Sequence, residues 1–356
     1  MNQNFPMVSV IILNYNGRNF LVDCLTSVLN SNYPNFEIIL VDNASTDNSI
    51  KIAEETFGCS PILRIVKNDA NLGFAAGNNV GVAYGKGKYV LFLNNDTLVE
   101  PNWIIELVSV LENDAKIGAA QSKLISFADK RTIDSAGDFI DYYGLSFRRG
   151  SWGETEEKYA RIEEIFSARG AALIVKSQIF AEIHGFDSDF FFCYEDIDLC
   201  WRIRINGYKV VFVPKSRVYH IGSASSISTS KNVFHIEKNR LLTLAKNMPL
   251  NYLAKYNPLT FTAGEMLGDL MYKRPTLLTA RIRAIFWILK NFKAIWCKRL
   301  FIEKYIKKID YKIVTEYMLR TSSKLLFLLF LVQMRIGENQ AIKYYFSSCL
   351  KNKSTV

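Results

Sequence analysis

Four short apolar, β-branched runs fall within the first hundred residues, at 8–13, 36–41, 62–66 and 89–93, separated by helical patterns reaching to about residue 30 and over 47–57 and 74–84. This alternation constrains the fold more than any other feature. Strands joined by crossover helices run parallel, and a parallel sheet is covered on both faces. The expected fold class is α/β, with a mostly parallel central sheet flanked by helices. Ser45 or Asp47 should cap the second helix. Gly73, Gly77 and Gly81, spaced by four, share one face of the third and predict close packing of helix on sheet. Neither a dinucleotide fingerprint nor a P-loop is present.

In such sheets ligands bind beyond the carboxyl ends of the strands. Here the exits are residues 14–16, 42–43, 68–71 and 94–96, and every one carries Asn or Asp. Each exit alone also reads as an ordinary turn or cap.

Further on, the text predicts a helix over 101–112 and a polar, loop-like excursion over 126–165, with Arg148, Arg149 and Gly150 at a mobile point. Regular structure should return at 166–175, then as a helix over 196–206 ended by Gly207, and as a strand over 209–213 ended by Pro214. Residues 222–230 read as a hinge, and the rest as helical and basic. Residues 236–356 hold 22 Lys and Arg against 7 Asp and Glu, so the net charge of +10 divides into about −5 and +15. Two regions follow: a catalytic domain over 1–235 and a basic amphipathic helical extension over 236–356. Its cations are interleaved with Phe, Trp, Tyr, Leu and Ile, a pattern that suits an anionic membrane surface better than nucleic acid. The apolar run at 325–332 is far shorter than the roughly 20 residues of a spanning helix. The amino-terminal stretch has no secretory pattern, which predicts a cytoplasmic protein held peripherally at the inner face of the cell membrane. The six cysteines form no CxxC pair, arguing against a zinc site or a disulfide framework and for reduced, mostly buried thiols.

Three constellations could carry chemistry. In Leu93-Asn94-Asn95-Asp96-Thr97 an acidic tip follows a buried strand, and one carboxylate plus substrate phosphates is a usual setting for Mg²⁺ or Mn²⁺. The segment FFFCYEDIDLCWR places Glu195, Asp196 and Asp198 within four residues at a helix start. Crowded carboxylates raise at least one pKa, and a raised aspartate is a usable general base. Asp196 is the candidate, with Glu195 and Asp198 tuning it or holding an acceptor; Trp201 either stacks on a sugar or fills core. His220, between a strand and a Ser-rich stretch, is a competent Mn²⁺ ligand.

The motifs VSVIILNYNG, VDNASTDNS, NLGFAAGNNVG, LNNDT, GFDSDFFFCYEDIDLCWRIRINGYKV and VYHIGSAS, in that order over about residues 7–245, resemble the inverting family 2 glycosyltransferases of GT-A fold, especially their bacterial rhamnosyltransferase-like branch. The resemblance implies that Asn14 and Asn16 line the nucleotide pocket, that Asp42 meets the base and that Asn71 lies nearby. It further implies that Asp96 and His220 hold the metal and that Asp196 deprotonates the acceptor hydroxyl. Asn94 stands where the family's DxD motif begins with Asp, which leaves it a ribose or phosphate contact and weakens the metal site. The implied partners are a nucleotide-sugar donor, dTDP-rhamnose or a UDP-sugar, and a saccharide or lipid-linked acceptor. Two rivals are a nucleotidylyltransferase, which should show a Gly-rich basic loop after the first strand, and a silent membrane scaffold of polysaccharide assembly, against which Asp96, Asp196 and His220 speak.

Overall fold

A computed structural model of the chain describes residues 5–150, 153–222 and 230–319. It divides into two compact units, one of Met1–Asp138, Arg148–Ala224 and Ile306–Ile309, the other of Phe139–Phe147, Ser225–Tyr305 and Asp310–Val356. The division falls ahead of the expected boundary at 235, and it assigns residues 139–147 to the helical unit. The reason is aromatic: Tyr142 stacks on Tyr256 and Tyr252, with ring centroids 4.4 and 5.7 Å apart. The expected hinge lies largely in 223–229, and the apolar run at 325–332 wholly, outside the described residues.

The strands are β1 (Val8–Asn14), β2 (Phe36–Asp42), β3 (Leu63–Lys67), β4 (Tyr89–Asn94), β5 (Thr97–Val99), β6 (Ile117–Ser126), β7 (Ile133–Ser135), β8 (Asp138–Ile140), β9 (Ser146–Arg148), β10 (Glu163–Glu164), β11 (Ala172–Lys176) and β12 (Lys209–His220). The helices of the first unit are α1 (Leu21–Leu29), α2 (Ser49–Phe57), α3 (Gly73–Tyr84), α4 (Trp103–Asn113), α5 (Ser177–Glu182) and α6 (Glu195–Ile205). The main sheet runs β10-β12-β6-β11-β4-β1-β2-β3. Neighbours in the β4-β1-β2-β3 half pair in parallel, and β11 enters antiparallel between β4 and β6. The α/β class and the mostly parallel sheet are as expected.

The predicted close approach of α3 occurs: a Cβ on Gly77 would lie 2.6 Å from Leu13 Cδ1, and one on Gly81 2.5 Å from Ile11 Cγ2. Only glycine lets the helix sit this near the sheet. Cys24 and Cys200 are buried, Cys193 is intermediate, and Cys59 and Cys297 are exposed, so only some of the thiols lie inside.

Three expectations fail. β6 was not foreseen, because its sequence IGAAQSKLIS mixes small and polar residues instead of a β-branched run, although all of its first nine residues are buried. β12 does not stop at Pro214 but continues to His220, since a register shift between Val213 and Arg217 takes the proline out of the ladder. The excursion at 126–165 is also largely ordered: β7 pairs with β6, Arg148 binds Asp134 at 2.6 Å, and Arg149 hydrogen-bonds Glu163.

The second unit contains α7 (Ser230–Asn247), α8 (Leu250–Tyr256), α9 (Leu259–Met271), α10 (Pro275–Lys290), α11 (Phe292–Phe301) and α12 (Tyr311–Thr315). Its positive charge is not all on the surface. Arg240, 1% exposed, donates to Glu237 and Thr262, and Arg281 bonds Glu265 at 2.5 Å and Asp269 at 2.9 Å. Burying those cations is tolerable because each is paired.

Candidate active site

The β1 and β2 exits form a neutral amide and hydroxyl network. Asn14 is fully buried; its Nδ2 donates to Ser45 Oγ (3.0 Å), Ser49 Oγ (2.9 Å) and Asp42 Oδ1 (3.3 Å), and its Oδ1 accepts from Asn95 Nδ2 (2.8 Å). Asn14 therefore shapes the loop from within and presents no free edge to a pocket. Asp42 accepts from Ser45 Oγ at 2.5 Å, which orients its carboxylate. Asn16 is exposed, takes a left-handed φ of 53°, and accepts from Thr46 N at 2.8 Å. Asn71 Oδ1 accepts from Gly73 N at 2.9 Å and so fastens the start of α3, with Asn43 Nδ2 at 3.3 Å. Neither Ser45 nor Asp47 is the cap of α2: Asn48 occupies that position without a side-chain cap hydrogen bond, and Asp47, one residue earlier, accepts from Ser49 N through Oδ1 at 3.0 Å.

Charge gathers on the other side of β1. The β4 exit leads through Asn94, Asn95 and Asp96 into β5, and β5 pairs with β12 so that Thr97 lies opposite His220. Ile221 N donates to Asp96 O at 3.0 Å. This register brings His220 Nε2 to 3.4 Å from Asp96 Oδ1, although 124 positions separate the two in sequence. His220 Nδ1 meets Asp134 Oδ2 at 2.8 Å. Burial alone would lower the imidazole, but hydrogen bonds with Asp134 and then Asp96, and the charges of both, hold it up at about 9. For Asp134, burial works upward yet is outweighed by the His220 hydrogen bond and the Arg148 charge, which take it down to about 2.

Asp196 stands at the start of α6. Two consecutive left-handed residues, Cys193 (φ 65°) and Tyr194 (φ 70°), aim the helix start, a conformation that costs side-chain-bearing residues on the order of 1 kcal/mol each. Asp196 Oδ2 accepts from Gly170 N at 3.2 Å and Oδ1 from Ile197 N at 2.8 Å. Burial, joined by the charge of Asp138, raises Asp196 to about 6 against the pull of Arg169. Arg169 bonds Asp138 at 3.0 Å and feels both Asp196 and Asp134. Because Asn94 N donates to Ala171 O at 3.1 Å, the 169–171 segment, whose Gly170 N donates to Asp196, is tied to the exit that carries Asp96. The two acidic groups thus belong to one charged cluster. Glu195 beside them is buried, with its carboxyl held well above the usual range by burial and by Asp196, and its Oε2 has no hydrogen-bond partner among the described residues.

Two sequence expectations are corrected. Asp198 and Trp201 are both fully buried. Asp198 pairs with Arg202 at 2.8 Å one turn along α6, and Trp201 packs edge-on against Phe166, so neither can touch an acceptor. Every residue of the helix but Asp196 is buried. Asp134, Asp138, Arg148 and Arg169 were not foreseen; the first three carried only charge within a segment readable as loop, and Arg169 lay in a stretch read as regular structure.

Could Asp96 and His220 hold a divalent cation? Among the described residues no three His, Cys, Asp or Glu side chains are grouped to bind a metal. Two side chains, an oxygen and an imidazole nitrogen, nevertheless converge, and Mg²⁺ or Mn²⁺ commonly takes one or two carboxylates and completes its shell with substrate phosphates. The donor set fits a cation that arrives with a diphosphate.

A mostly parallel sheet with an acidic β4 exit, a histidine facing it from β12 and a raised aspartate at the start of α6 is laid out on a GT-A fold. Residues 9–177 match the model of the Glycosyl transferase family 2. It is 26% identical over 230 residues to the rhamnosyltransferase WbbL of Escherichia coli (strain K12), covering 60% of this chain and 83% of that protein. Over 233 residues it is 30% identical to the O-antigen biosynthesis protein RfbC of Myxococcus xanthus, covering 62% of this chain and 18% of that protein. In fold it is similar to GalNAc-T7, solved with UDP, GalNAc and Mn²⁺, with a TM-score of 0.57 and 21% identity over 69% of this chain and 48% of that one. The chain spans 18–40% of the length of four curated relatives that are 30–35% identical to it.

Proposed function

We propose that the protein transfers a sugar from a nucleoside diphosphate sugar to a saccharide or lipid-linked acceptor, with inversion, in the synthesis of a cell-surface polysaccharide. The observation that carries this reading is the meeting of Asp96 and His220 within one charged cluster with Asp196. Similarity to the rhamnosyltransferase WbbL favours rhamnose, hence dTDP-rhamnose, over a UDP-sugar as donor, and similarity to the O-antigen biosynthesis protein RfbC favours a cell-surface polysaccharide as product. The network around Asp42, with Asn16 and Asn71, takes the nucleoside, and Asn94 reaches ribose or phosphate. Asp196, ionised above about pH 6, accepts the proton of the attacking hydroxyl as the sugar leaves the diphosphate in one in-line displacement. Glu195, its carboxyl pushed well above the usual range by burial and by Asp196, contacts the acceptor. A bound Mg²⁺ or Mn²⁺ at Asp96 and His220 supplies offset for the charge growing on the departing diphosphate.

A thermal-shift series of sugar nucleotides, with and without Mn²⁺, tests the reading. A true donor at 100 times its dissociation constant adds about 2.7 kcal/mol of stability. If no sugar nucleotide or nucleoside diphosphate shifts the melting temperature, the reading fails.

The helical unit supports peripheral attachment at the inner face of the cell membrane, with the enzyme in the cytoplasm. No helix among the described residues is long and apolar enough to cross a membrane. Ile282, Phe286, Leu289, Phe292, Trp296 and Leu300 recur every three or four positions from α10 into α11, all exposed, with Lys290 and Lys293 exposed beside them. Such a stripe suits an anionic headgroup layer. Co-sedimentation with phosphatidylserine vesicles, weakened by salt and missing with phosphatidylcholine alone, is the expected result; failure with both contradicts it.

A further inference from the structure

We infer that Asp134 is the positioning residue of the metal site: it fixes the His220 ring so that Nε2 faces Asp96 and the incoming cation. The inference rests on the reading of Asp96 and His220 as metal ligands.

The sheet itself delivers this carboxylate. β12 lies beside β6 with His220 opposite Ser126 and Tyr219 opposite Ile125, and β6 in turn lies beside β7 with Ile125 opposite Ile133. Asp134 is thereby carried to the histidine from 86 positions away. Along β7 the flanking Ile133 and Ser135 are buried, whereas Asp134 is only partly covered and turns the other way, as strand alternation requires. Its two oxygens divide the work. Oδ2 meets His220 Nδ1 at 2.8 Å, and Oδ1 accepts from Arg148 at 2.6 Å.

An imidazole can bind a cation through either nitrogen, and its ring can turn about the side-chain bond. A carboxylate accepting from Nδ1–H removes both freedoms, leaving the Nε2 lone pair aimed at one point. Here that point borders Asp96 Oδ1, 3.4 Å from Nε2. With only two protein ligands, the aim of each matters more than it would in a closed four-ligand cage. The pairing of β7 with β6 gains a purpose on this account: it carries the group that sets the histidine, and Arg148 holds that group from behind.

Binding of Mn²⁺ alone to the full chain, read from loss of the free-ion paramagnetic resonance signal, is the test. Asp134→Ala should weaken Mn²⁺ about 10–100-fold, the usual cost of losing such a partner. His220→Ala should do at least as much. The double variant should bind no more weakly than His220→Ala, because a residue acting through the ring has nothing left to position once the ring is gone. Should the alanine variant not fold, Asp134→Leu, branched at the same carbon and lacking an acceptor, carries the same comparison. Wild-type Mn²⁺ affinity in the folded Asp134 variant overturns the inference, as does a loss that adds to that of His220→Ala, which would make Asp134 a ligand in its own right. A wild-type chain that binds nucleoside diphosphate but no Mn²⁺ overturns the metal reading beneath it.

Discussion

The two sides of β1 solve different problems with different chemistry. On the β2–β3 side, Asn14, Asn16, Asn43, Asn68, Asn71 and the Ser45 and Ser49 hydroxyls knit a largely neutral network around the carboxylate of Asp42. On the β4–β12 side, Asp96, Asp134, Asp138, Glu195 and Asp196 crowd around His220, Arg148 and Arg169. Neutral hydrogen bonds fix shape without strong fields, which suits recognition of a nucleoside. Closely spaced charges shift pKa values and attract a cation, which suits the transfer itself.

That division is open to attack by mutation. The largest effect should come from Asp196→Asn, which removes the proton acceptor: kcat should fall by roughly 10²–10⁴, read in a transfer assay with the donor found by thermal shift. Asp96→Asn should come next, costing on the order of 100-fold in kcat/KM, with partial recovery as Mn²⁺ is raised. The intact enzyme should show kcat/KM rising about tenfold per pH unit below about 6 and levelling above, since only ionised Asp196 accepts a proton. Arg169→Gln should move that limb to higher pH, because the cation now favours the charged form of Asp196.

On the neutral side the expected effects are smaller and differ in kind. Asn14→Ala leaves Asn95, Ser49 and Asp42 short of a partner and should cost about 1–3 kcal/mol in urea unfolding, with weaker nucleotide binding and kcat little changed. Stability also separates the sides. Asp196 has its folded pKa raised from 3.8 to about 6, so its protonated form favours folding, fully below about pH 4, and that stability is lost as pH rises through 6. Asp196→Asn should therefore be more stable than the wild type at pH 7–8, by on the order of 1–2 kcal/mol, with the gain vanishing near pH 4.

The same comparison explains what could be read from sequence. The neutral side is spelled by short motifs directly after β1, β2 and β3, and strand order follows from the alternation, so Asn14, Asp42 and Asn71 could be placed at strand exits before any coordinates. Even there burial was hidden: only packing reveals that Asn14 faces inward. The charged side is assembled across the sheet. Its order depends on β6, whose small and polar residues conceal a central strand, and on β12 passing Pro214 by a bulge. Without those two strands nothing joins residue 134 to residue 220. The acidic run at 195–198 illustrates a further limit. Helical turns separate neighbours in sequence, so Asp196 faces the site while Asp198, two positions on, is paired with Arg202 in the core.

Calorimetric titration of UDP and TDP, each with Mn²⁺, into the wild type, Asp196→Asn and Asp96→Asn tests the division of labour most directly. The account predicts that Asp196→Asn binds the nucleotide as the wild type does while transferring almost no sugar, and that Asp96→Asn binds more weakly. Nucleotide binding lost in Asp196→Asn together with transfer, or unchanged in Asp96→Asn, would contradict it.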